Sequence, residues 1–186
     1  MKRILLTILS VMAFAGMSVA QDIYTSGYYT NNNGNRVAAV YKNGSKLYEF
    51  GGYSSWKYES RDLECYNGNV YWIWNATDAS SDQITRGVIK KNNNSTNFLD
   101  EGADNLYTFQ AMDIDYDGWT AAAGWKLDAD NSNLERAAVW LCGSSGNTSA
   151  TAHYLGNTSY KSYAYDVVWY NDIEYSEKLY PHEVFN

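Results

Sequence analysis

Asp113, Asp115, Asp117 and Gly118 form an Asp-x-Asp-x-Asp-Gly run, the spacing at which alternate carboxylates of one loop converge on a calcium ion. A full calcium loop of this kind closes on a bidentate Glu at position twelve. Counted from Asp113 that position is Gly124, which has no side chain to offer. The acids also have other readings: Asp113 recurs as Asp62 and Asp166, and Asp117 belongs to an Asp-Gly turn, which leaves only Asp115 unaccounted for. No cofactor is therefore expected. Calcium is the one ion this run could take, and it is expected to leave stability unchanged.

The recurring Asp62, Asp113 and Asp166 invite comparison with the paired carboxylates of glycoside hydrolysis. A catalytic pair needs two different environments, one to hold a proton and one to release it. An acid repeated at the same place in every unit is better read as satisfying backbone N–H groups. Unpaired acids, Asp115, Glu64 and Glu101, are what a glycoside-acting enzyme on this scaffold would have to use. His153 and His182 are the only histidines and have no second ligand at metal spacing. No catalytic residue is assigned, and an enzyme is the less favoured class.

The strongest compositional signal is aromatic: 7 Trp and 18 Tyr against 5 Phe. Rings with a polar handle suit half-exposed strands and the stacking of sugar faces. Trp56, Trp72, Trp74, Trp119 and Trp125 are the candidate ligand platforms, with Trp72 and Trp74 on one face of a strand by period-two alternation. Trp140 falls where the first repeat has Tyr41 and reads as core. The function expected is an exported binding or interaction module with a glycan or a protein as partner; the alternatives are the hydrolase above and a shortened structural paralogue with no ligand.

The elements that must position these residues come from a repeat. Val37 to Gly44 is echoed at Gly87 to Asn92 and at Ala138 to Gly143, so that Val40, Val88 and Val139 recur about every 50 residues. Each unit reads as four short strands. The opening strand is Asp22 to Tyr29, Asn69 to Ala76 or Trp119 to Lys126. The echo follows, then a third strand at Lys46 to Phe50, Thr96 to Leu99 or Ala152 to Leu155, and a fourth carrying Asp62-Leu63, Asp113-Ile114 or Asp166-Val167. Asn43-Gly44, Asn67-Gly68 and Asp117-Gly118 read as turns. The expectation is an all-β domain of antiparallel four-stranded units at 22–68, 69–118 and 119–172 with a partial unit at 173–186. Tyr24, Val40, Leu63 and their equivalents should point inward.

The motifs Ile23-Tyr24 and Gly27-Tyr28 with Ala39 to Gly44, Val70-Tyr71 with Val88 to Lys90, and Gly124-Trp125 with Ala138 to Trp140 carry a resemblance. The chain resembles secreted repeat proteins of Bacteroidetes-type bacteria, whose units look like β-propeller blades. The resemblance implies propeller-like blades and brings no catalytic or ligand motif with it. Three units fall short of the four to eight blades of a closed ring, so a β-trefoil or β-prism is the alternative architecture, and association of copies through open blade edges is expected.

Residues 1–20 read as a signal peptide: Lys2 and Arg3, an apolar run from Ile4 to Ala15, then Ser18 to Ala20. Export to the periplasm, cell surface or medium is expected, with no later stretch long enough to span a membrane. Of 14 basic residues against 21 acidic, two lie in that leader, and the negative balance argues against nucleic acid as a partner. Cys65 and Cys142 stand at non-equivalent places in the repeat and read as two thiols, although export makes a bond chemically possible. Sequons at Asn43, Asn75, Asn93, Asn94, Asn147 and Asn157 are expected to mark polar loops.

Overall fold

Among the described residues period-two patterning folds into ten strands: β1 (Tyr24–Thr30), β2 (Arg36–Lys42), β3 (Ser45–Gly51), β4 (Trp56–Tyr66), β5 (Asn69–Asp78), β6 (Ile84–Lys91), β7 (Tyr107–Ile114), β8 (Thr120–Asp128), β9 (Leu134–Cys142) and β10 (His153–Tyr154). The computed structural model describes residues 21–81, 84–94, 97–100, 106–128, 134–146, 151–156 and 160–169. Residues 1–20, expected to be a signal peptide, Glu101, His182, the sequons at Asn147 and Asn157 and the partial unit expected at 173–186 lie outside them. Among the described residues there is no helix, and none long and apolar enough to cross a membrane.

The strands make three antiparallel sheets, ordered β1-β2-β3, β4-β5-β6 and β10-β9-β8-β7. Leu99 adds a single bridge to Ile89 beside the second. Among the described residues the sheets close into neither a barrel nor a ring. Asn43 and Gly44 take φ of 51° and 78°, and Asn67 and Gly68 take 46° and 72°, the type I′ geometry that matches strand twist in a two-residue hairpin.

The sheets run one strand out of phase with the sequence units. The strand carrying Asp62 follows the first echo in the chain, yet it pairs with β5, Leu63 opposite Trp72, and β7 with Asp113 likewise pairs with β8. The cause is local. The tight Asn67-Gly68 turn forces β4 and β5 side by side, whereas Gly51 and Gly52, at φ of 113° and 88°, swing the chain off the first sheet. A Cβ on Gly51 would lie 2.3 Å from the Tyr58 ring, so only glycine permits that exit.

The second sheet is covered on both faces, which makes β5 buried without interruption from Val70 to Thr77's neighbour Ala76. Its alternate side chains part to two cores. Val70, Trp72 and Trp74 join Ala38, Val40 and Tyr58 of the preceding strands. Tyr71 and Ile73 join Phe109, Met112 and Trp140 on the other side. Burial of a large side chain contributes roughly 1.5–3 kcal/mol each, so these two layers supply most of the cohesion. Tyr24 and Leu63 are partly buried against the first core and Val40 is fully buried, in keeping with their inward assignment. A third small core, Ala123, Ala137 and Ala164 with Val139 and Val167, lies under residues 160–169.

Candidate functional site

The loop between β7 and β8 is built by Asp115. Its Oδ1 accepts the N–H groups of Asp117 and Trp119 at 2.9 and 2.8 Å. Its own N–H donates to the Trp119 carbonyl at 2.9 Å, and Gly118 N–H returns to the Asp115 carbonyl at 3.0 Å. Gly118 turns at φ 85°, where a Cβ would meet Ser144 and the Tyr66 ring at 3.1 Å. The closed loop holds Tyr116 and Trp119 outward, 66% and 51% exposed. Tyr66 Oη donates to the Tyr116 carbonyl at 2.8 Å, fixing the tip to the β4–β5 turn.

Beside this tip lies a cavity of about 170 Å³ lined by Lys91, Asn94, Asn97, Phe98, Ser144 and Ser145. Its walls are turns at the same end of the second and third sheets. Gly146, at φ 80°, donates to the Gly143 carbonyl at 2.8 Å, and a Cβ there would stand 2.4 Å from the Phe98 carbonyl, so the 143–146 turn is seated directly on Phe98. Asn97 Nδ2 donates to Asp100 Oδ2 at 2.6 Å. The Lys91 ammonium sits 5.4 Å from the centre of the Tyr71 ring, a cation–π contact. Among the described residues no carboxylate lies within 4 Å of it. Ser144 joins the two parts, since it walls the cavity and touches the Gly118 position. The Trp119 ring passes 3.9 Å from a Cβ placed on Gly143. The result is one surface of exposed rings, amides, hydroxyls and an ammonium. Its hollow is smaller than the 300–1,000 Å³ of pockets that engulf a ligand and is of a size for one ring or one substituent of a larger molecule.

A second group of functional side chains is the recurring acid. Asp62 Oδ1 accepts Leu63 N–H and its Oδ2 accepts Met112 N–H, both at 2.9 Å. Asp113 repeats this with Ile114 at 2.8 Å and Trp169 at 2.7 Å, and the Trp169 indole N–H donates to the Asp113 carbonyl. Asp166 accepts the N–H of Val167. Each acid thus accepts the N–H of the residue after it, and two of them reach further along the chain, Asp62 to β7 at Met112 and Asp113 to Trp169, 50 and 56 residues on. A bulge between Ser60 and Leu63 frees Asp62 from the ladder for this task. Burial raises the Asp62 carboxyl, with the charges of Asp166 and Asp113 adding to it. Glu64 is raised by burial and then by Asp62 and Asp113.

Of the five tryptophans singled out from the sequence, Trp72 and Trp74 are core. They are 1% and 5% exposed, with the Trp72 indole N–H on the Asn92 carbonyl and Trp74 stacked on Phe50 at 4.2 Å; being on one face of β5, both meet the first sheet. Trp56 is half-buried against the same core and Trp125 half-buried edge-on to Tyr163. Trp119 alone is exposed. Asp113 spends both carboxylate oxygens and Asp115 its Oδ1 on backbone N–H groups, Asp117 is exposed at the tip, and among the described residues no group of three acids, histidines or cysteines could hold a metal ion. Sequence reasoning missed Tyr66, Tyr116, Lys91, Asn94, Asn97, Ser144 and Ser145. Tyr116 was legible in principle, as the aromatic inside an Asp-x-Asp-Gly turn. The cavity residues come from two units, and only the sheet stacking unites them. Asn75, a formal sequon, is no loop residue: it is 1% exposed, with Nδ2 donating to the Phe109 carbonyl at 2.7 Å and Oδ1 accepting Phe109 N–H at 3.2 Å. His153 is exposed, and Cys65 and Cys142 are free thiols, one exposed and one buried.

Comparison with the profiles of known families, with curated proteins and with solved structures finds no match.

Proposed function

We propose that this chain is an exported binding module that takes a glycan on the surface formed by Tyr116, Trp119 and the adjoining cavity. One observation carries this reading: two exposed rings stand on a loop braced at five backbone positions, beside a hollow lined by two amides, two hydroxyls and an ammonium. Exposed aromatics on a rigid support lose little entropy on binding, and a sugar presents an apolar face to a ring and hydroxyls to amides. The three sheets act as successive blades of a propeller-like arc, whose turns at one end make the site. Hydrolysis has less support, because Asp62 and Glu64 are both shifted upward instead of apart, and the Asp62 oxygens are committed to backbone donors.

A glycan array probed with the exported chain tests the proposal. Binding is expected, lost or weakened at least tenfold in Trp119→Ala and in Asn97→Ala, and unchanged in Trp125→Ala, with the far-ultraviolet spectrum preserved in all three. An array without signal, or signal indifferent to Trp119 and Asn97, overturns it. Release of reducing ends from a bound glycan would shift the assignment to the hydrolase.

A further inference from the structure

The first and second sheets are built alike up to one strand. Asn43, at φ 51°, accepts Ile23 N–H on its Oδ1 at 2.9 Å and donates its own N–H to the Ile23 carbonyl at 2.8 Å. Asn92, at φ 54°, does the same to Val70 at 2.9 and 2.7 Å. The opening strands β1 and β5 are thereby equivalent, held identically along one edge. Along its other edge β5 carries β4, and β8 carries β7. Among the described residues β1 is at the edge of its sheet. Burial records the difference: β5 and β8 are buried through their middles, while β1 alternates half-buried with exposed and leaves Tyr28 49% exposed.

The direction of its main chain follows from alternation. The Ile23 carbonyl faces β2, as does Asn31 N–H, which donates to the Asn35 carbonyl. Thr25, Gly27 and Tyr29 then face β2 too, and the N–H and C=O groups of Tyr24, Ser26 and Tyr28 point to the open edge.

The strand that fills this place elsewhere has a recognisable pattern, a buried small residue two before the recurring acid: Ser60 and Asp62 in β4, Ala111 and Asp113 in β7. A third instance is Ala164 and Asp166, with Ala164 1% exposed. Residues 160–169 lie on the third sheet through Ser162 N–H to the Glu135 carbonyl at 3.0 Å and Ala164 N–H to the Gly124 carbonyl at 3.2 Å. No strand of the described residues pairs with them.

We propose that residues 160–169 of one copy add to the open edge of β1 in a second copy, head to tail, filling the place that β4 and β7 fill within the chain. The inference rests on the reading of the sheets as successive blades. Two copies contribute six sheets, inside the four to eight of closed rings, so two identical head-to-tail contacts close the assembly and leave no β1 edge open.

Sedimentation of the exported chain is expected to give twice the chain mass, with hydrogen exchange slowed at the Ser26 and Tyr28 amides. Ser26→Pro removes an outward N–H on one edge and Tyr165→Pro on the other. Each variant alone is expected to be a monomer, and their mixture a one-to-one complex through the contact that remains. A wild-type monomer, fast exchange at Ser26 and Tyr28, or a single variant that still dimerises overturns the proposal, a Tyr165→Pro dimer beside a Ser26→Pro monomer being the outcome for β1-to-β1 pairing, as does a mixture that stays monomeric. A monomer that still binds glycan overturns the assembly alone, and a dimer that binds none overturns the binding reading alone.

Discussion

A single buried amide ties two sheets together at Asn75, whose bonds to Phe109 run in both directions. Asn75→Ala leaves the Phe109 N–H and C=O unsatisfied in the interior and is expected to cost about 2–4 kcal/mol, read as a lower urea midpoint at unchanged slope. Asp62 gives a pH signature. Burial raises it and Glu64, so the folded chain binds these protons more tightly than the unfolded chain does. The stability they contribute is full below the unfolded carboxylate value and falls as pH rises through the interval up to the folded value. Asp62→Asn removes one such group and relieves the other, while its amide nitrogen cannot accept Met112 N–H. The variant is expected to be less stable at about pH 4 and to gain on the wild type towards about pH 7, measured by urea unfolding at each pH.

At the scale of the strand, the Asn clamp predicts a graded effect. Asn92 accepts Val70 N–H, donates to Asn69 Oδ1 at 2.8 Å and is partly buried, whereas Asn43 serves the same role at an exposed edge. Ala substitution costs the bonds and the positive φ in both, and is expected to destabilise by about 2–3 kcal/mol at Asn92 and about 1 kcal/mol at Asn43, compared by thermal unfolding. The strands and the Asn-Gly hairpins were legible because each is coded within a few residues: period-two aromatics, then Asn43-Gly44 or Asn67-Gly68. Which strands share a sheet was not, since it turned on Gly51 clearing the Tyr58 ring, a contact between residues seven apart that no local pattern announces. The site was half legible for the same reason. Trp119 could be singled out by type, but Trp72 and Trp74 look equally available until both faces of β5 are known to be covered.

For the whole molecule, the stacking of sheets decides which thiol the solvent meets. Cys65 is exposed, while Cys142 lies in the core between the second and third sheets, where burial pushes its thiol up to about 11. One thiol per chain is expected to react with a disulfide reagent under native conditions and two after unfolding, counted by mass spectrometry; two fast thiols in the native state would mean that this core opens. The staples made by Asp62 and Asp113 bear on ancestry as well as on stability. Asp62 and Asp113 each reach a main-chain N–H of the unit that follows, and any residue but proline supplies one. The joint therefore makes a demand on one aspartate and almost none on its neighbour. A unit can be duplicated, lengthened by a few residues or rewritten in most of its side chains while the join survives, which accounts for echoes as faint as Gly87 to Asn92 persisting in register inside one chain.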